Sequence, residues 1–225
     1  MLRNSEIRTT VIVAVSTVFG ALSALLAIMP LSFSFPIIPY LKFDIAEIPV
    51  VTAFIGFGPI PGIVSSITYW LILNLFGEWA PIGPAMKFLA VTSMLAGFWI
   101  SYKLASRFRI SYILVFLFGG LMRVLATTIV NYLLLVAIAP FFLEYAVSFV
   151  SLALGLKIDV GIGGLMLVLA FTAVYNILHV IFSLFPSIVL VKSFSRQGLF
   201  LNLKEPWIMV LLKEKKSKPS YRLSL

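Results

Sequence analysis

Lys42, Asp44 and Glu47 fall within six residues of one another, on the edge of a long apolar run. A charge at the edge of hydrocarbon costs on the order of several kcal/mol unless it is paired or hydrated. The economical reading places these three charges at the mouth of a polar pocket inside a helix bundle. Other polar residues converge on the same end of the chain's apolar segments: Lys87, Asn131 and Asn176. Tyr40, Phe43, Trp79 and Tyr132 lie around them. Aromatic walls with a few placed polar groups suit a planar small molecule that is uncharged or weakly charged. An asparagine amide offers both a donor and an acceptor, as reading an imide or amide edge requires. The competing role for each asparagine is an interhelical hydrogen bond that only holds the bundle.

Catalytic signatures are sparse. The chain has no G-x-x-x-x-G-K, H-E-x-x-H or G-x-S-x-G stretch, no cysteine and one histidine. A P-loop, a thiol nucleophile and a multi-histidine metal site are therefore excluded. Asp44 and Glu47 could form a carboxylate pair for an intramembrane enzyme, with Arg123 holding an anion. Beside Lys42 they fit ion pairs better. A small ion or proton-coupled carrier would show an inverted repeat and a line of ionisable residues, and neither is present. Arg123 stands near the middle of its apolar segment, with Thr127 and Asn131 following on one face. It can snorkel, cap carbonyls or meet a partner, and a structural role is favoured. His179 is one turn beyond Asn176 and reads as a packed, hydrogen-bonded histidine before a proton relay.

The elements that carry these residues are transmembrane. Of 225 residues, 61% are hydrophobic and 11% charged, against about 25% charged in soluble domains. The predicted fold is an all-α membrane protein, a bundle of six transmembrane helices over residues 1–192. A basic tail, 193–225, lies on lipid or is disordered. The start reads as a first span (Thr9–Met29) rather than a cleaved signal. Residues 31–42 contain two prolines and are predicted to form an irregular lid. A short second helix (Ile45–Phe57), a Gly58–Gly62 turn and a third helix (Gly62–Phe76) follow, then a tryptophan-bearing turn. The fourth and fifth helices are read over Ala85–Leu104 and Tyr112–Ala139. A short interfacial helix (Phe141–Leu156) precedes the sixth span, Leu165–Lys192. With both termini cytoplasmic, thirteen basic residues fall inside and three outside (Lys42, Lys87 and Lys157), which leaves the lid extracellular. The net charge of +9 thus belongs to a membrane surface and is no sign of nucleic acid. Ser16, Gly20 and Ala24 form a small-residue face, suited to a partner helix or to packing within the chain.

Y-L-K-F-D-I-A-E-I-P followed by G-P-x-x-G resembles the substrate-binding S components of energy-coupling factor (ECF) vitamin transporters, above all the riboflavin S component. Asn131 and the aromatic–asparagine pair Tyr175-Asn176 extend the likeness over roughly residues 10–192. The resemblance implies a six-helix bundle that binds a vitamin beneath the loop between the first two helices. It implies riboflavin as transported ligand, with no cofactor, and partners in a transmembrane coupling protein and two cytoplasmic ATPases. It assigns Ser16, Gly20 and Ala24 to the coupling-protein contact. His179 stands where the riboflavin family usually has lysine, so pantothenate and folate remain alternatives.

Overall fold

The structure is a computed structural model that describes residues 9–77, 79–105 and 112–197. Arg3, Arg8, Glu78, Arg107, Arg109 and the tail from residue 198 lie outside the described residues. The elements are α1 (Thr9–Ile28), β1 (Ser32–Ser34), β2 (Lys42–Asp44), α2 (Glu47–Phe57), α3 (Pro59–Phe76), α4 (Ile82–Ala105), α5 (Tyr112–Leu133), α6 (Phe141–Leu154) and α7 (Ile162–Arg196). The last turn of α5 widens into a π-helical segment, Leu134–Ile138. Where the sequence predicts six spans, five helices among the described residues are long and apolar enough to cross a membrane, and α2 and α6 are shorter apolar helices.

α2 is the axis of the bundle. Apart from Glu47 and Thr52 it is apolar all round, and nine of its 11 residues are buried, the pattern of a helix enclosed by others. Pro49 sits in its first turn, where no backbone donor is needed. It stops at Gly58, whose φ of 105° is left-handed, and Pro59 starts α3 directly. Eleven residues cover about 16 Å at 1.5 Å per residue, roughly half the hydrocarbon thickness. The space above the start of α2 is therefore left to something else.

That space is roofed by a two-stranded antiparallel hairpin, a departure from both the all-α expectation and the irregular lid. The register pairs Phe33 with Phe43 and Ser34 with Lys42. Pro30, Pro36 and Pro39 fall outside the two strands, where a missing N–H breaks no ladder bond. The Phe33 and Phe43 rings lie 5.1 Å apart, a cross-strand aromatic pair that fixes the register.

The Ser16–Gly20–Ala24 face is turned inward. All three are buried, and a Cβ on Gly20 would stand 2.7 Å from Thr68 Cβ on α3. The face assigned to a partner is thus used within the chain, because close approach of α1 and α3 needs the same small residues. Exposed side chains of α1 such as Val18 and Leu25, seven residues apart, lie on the opposite face.

α4 and α5 cross through two glycines that sequence periodicity does not single out. A Cβ on Gly97 would lie 2.3 Å from the Phe118 carbonyl oxygen, and one on Gly119 2.2 Å from the Phe98 ring. Gly97→Val presses on backbone that cannot swing aside, so it lowers stability by on the order of 1–3 kcal/mol. Thermal unfolding in detergent checks this, and an unchanged Tm would contradict the crossing.

Candidate functional site

A cavity of about 560 Å³ lies under the hairpin, between α3, α4, α5 and α7. Its floor is the start of α2. There Arg123 clasps Glu47 with two hydrogen bonds, Nη1 to Oε2 at 2.6 Å and Nη2 to Oε1 at 3.0 Å. Both side chains are at most 2% exposed. Arg123 Nε donates to Asn176 Oδ1 at 2.9 Å, and the Asn176 amide donates to the Thr172 carbonyl at 2.9 Å. The Ser183 hydroxyl lies 3.0 Å from Glu47 Oε2. A planar guanidinium in a bidentate grip is the arrangement that makes a buried ion pair tolerable.

A second pair stands higher. Lys87 of α4 bonds Asp44 at the end of β2, and the other Asp44 oxygen accepts the Ala46 N–H at 3.1 Å. α4 starts at Ile82, three residues before the predicted Ala85, so Lys87 stands in its second turn, where its partner is Asp44. The two pairs cancel in charge, and both carboxylates are committed. A free acid–base pair, as the enzyme reading needs, is not what Asp44 and Glu47 provide.

The walls are a mixture. Thr127 and Asn131 extend the Arg123 face of α5, each one turn further on. The Asn131 amide lines the cavity and makes no hydrogen bond among the described residues, so both its donor and its acceptor remain open. Tyr40, Trp79 and Phe142 meet at the rim, with Trp79 edge-on to Phe142 at 5.5 Å and Tyr40 6.4 Å from Phe142. Burial pushes the Tyr40 phenol up to about 12, so it stays protonated and able to donate near neutral pH. Tyr175 and Lys42 complete the lining under the hairpin.

Nine of the residues anticipated from sequence line the cavity: Tyr40, Lys42, Asp44, Glu47, Trp79, Lys87, Asn131, Tyr175 and Asn176. Three do not. Phe43 is buried behind Tyr175, 4.8 Å between rings, where it anchors the hairpin. Tyr132 is 45% exposed, because a helix that turns Asn131 inward turns its neighbour by about 100°. His179 is fully buried behind Tyr175, outside the cavity wall. Conversely, Arg123, Thr127, Thr172 and Phe142 line the cavity and are not among the residues anticipated there from sequence. A lone arginine in mid-span requires a counter-charge, and Glu47 in an otherwise apolar helix was the available one.

A solved structure described as the S component of a bacterial ECF transporter superposes with a TM-score of 0.61, covering 86% of this chain and 99% of that chain at 23% identity. Among curated proteins, the chain is similar to the riboflavin transporter RibU of Staphylococcus aureus (strain TCH60), 35% identical over 74 residues. That match spans 32% of this chain and 39% of the relative's length. No family model matches the chain.

Proposed function

We propose that this multi-pass membrane protein is the substrate-binding S component of an ECF-type importer and that its ligand is riboflavin. It is then a transport subunit and no enzyme. The observation that carries the reading is the lidded cavity of about 560 Å³, neutral in its paired charges, with the open Asn131 amide on its wall. Riboflavin is uncharged, with a flat ring system, an imide edge whose N–H needs an acceptor and whose carbonyls need donors, and a polyhydroxy chain. The S-component fold and the partial likeness to a riboflavin transporter support the same choice. His179 stands outside the cavity wall, so its replacing the family's usual lysine weighs little against riboflavin.

In this reading the lid faces the extracellular side and both termini are cytoplasmic. The hairpin and α2 together act as the short sixth crossing. ATP hydrolysis resides on two partner ATPases, reached through a transmembrane coupling protein that meets a lipid-facing helix surface such as the Val18–Leu25 side of α1. The tail from residue 193 serves the cytoplasmic membrane surface.

Asn131→Ala tests the site. Leaving a buried polar edge of the ligand unpaired costs about 1–3 kcal/mol, so riboflavin binds roughly tenfold or more weakly while Tm is unchanged. Quenching of riboflavin fluorescence reads the affinity. Competition by pantothenate or folate at equal concentration would point to another vitamin and contradict riboflavin as the ligand.

A further inference from the structure

His179 is fully buried, lies off the cavity, and yet touches both its floor and its roof. Its Nδ1 is 3.0 Å from the Tyr175 hydroxyl. That hydroxyl donates to the backbone carbonyl of Lys42, in β2, at 2.6 Å. A phenol has one proton, so Tyr175 must accept from His179, which places the histidine proton on Nδ1. The other ring nitrogen, Nε2, then points a lone pair at Glu47 Oε1, 3.6 Å away, and has no hydrogen-bond partner. Two acceptors facing each other explain why this gap stays open.

The neutral ring has a second arrangement. With the proton on Nε2 it would donate to Glu47, and Nδ1 would take the Tyr175 proton. Tyr175 could then no longer hold Lys42. The two arrangements exclude each other, and the observed one is the one that ties the hairpin to α7. Glu47 is held in that state by Arg123 and Ser183, which occupy its oxygens.

We propose that His179 is a positioning residue for the lid: it aims the Tyr175 hydroxyl at the Lys42 carbonyl, and this latch sets how long a ligand stays under the hairpin. The ligand arm rests on the riboflavin reading above; the latch itself does not. The hairpin is otherwise tied at the far end of β2 by the Asp44–Lys87 pair and packed through Phe43 against Tyr175 and Phe182. Tyr175→Phe keeps those ring contacts and removes only the hydroxyl.

The test compares Tyr175→Phe, His179→Leu, His179→Asn and the double variant Tyr175→Phe/His179→Leu in the full chain. Backbone amide exchange is followed by mass spectrometry in detergent without ligand. One hydrogen bond lost from the latch raises exchange across residues 32–44, and the release rate of riboflavin, by about tenfold. In His179→Leu the association rate stays within about twofold, since His179 lies outside the cavity wall. The double variant is no worse than either single one, because the two residues act in series. His179→Asn, whose amide offers a donor near the Nδ1 position, restores slow exchange. Wild-type exchange across residues 32–44 in Tyr175→Phe would overturn the latch. So would faster exchange in His179→Leu spread evenly over the bundle, which marks a packing role alone. Failure of the wild-type protein to bind riboflavin would sink the ligand assignment and leave the exchange result to decide the latch.

Discussion

Arg123→Leu alone lowers the unfolding free energy by about 3–5 kcal/mol, whereas Arg123→Leu combined with Glu47→Leu recovers most of that loss. The single change leaves the Glu47 carboxylate fully buried with only the Ser183 hydroxyl at hydrogen-bonding distance. It also strips the acceptor of Asn176 of its partner. The double change removes both charges from a low-dielectric interior, where an ion pair repays little more than its own desolvation. Chemical denaturation in detergent, monitored by helix content, gives both values. A single variant as stable as wild type would mean that Glu47 and Arg123 are not paired at the floor. Neither variant is expected to bind ligand normally, because both remove the polar base of the cavity.

Asn131→Trp abolishes ligand binding, weakening it by about two orders of magnitude or more, with little change in Tm. The asparagine is half-buried on the cavity wall and its amide holds no other residue in place. An indole there takes up volume that the ligand needs and leaves no buried partner unsatisfied. Asn176→Ala behaves differently. That amide is bound on both sides, to Arg123 and to Thr172, so its loss costs stability as well as affinity. Unimpaired binding in Asn131→Trp would remove the cavity from consideration as the ligand site.

The contrast between the two asparagines shows where sequence stops being informative. Both were legible as polar residues on apolar helices, and nothing in their spacing says which one is free. The same holds for Arg123: its depth is readable from its place in the helix, but its partner is 76 residues away in sequence. Charge in a span demands a counter-charge, and only packing chooses among the acids. The cluster Lys42, Asp44, Glu47 was legible because three charges so close together on an apolar edge must be paired or hydrated. The stripe at Ser16, Gly20 and Ala24 was legible as a close-packing face but not as to its mate, since α3 and a separate protein would select the same small residues. The hairpin was hidden by its prolines, which suggested irregular chain when they only bound two three-residue strands. Tyr132 failed for a simpler reason, helical geometry, which sends adjacent residues to different faces.

The most direct test of the central claim is to purify the protein from riboflavin-replete cells and record its visible absorption, then titrate riboflavin into the flavin-free form. An S component for riboflavin gives a yellow preparation, riboflavin by mass on release, and saturable quenching of added riboflavin, which Asn131→Trp abolishes. A colourless preparation that leaves the fluorescence of added riboflavin unquenched would contradict it.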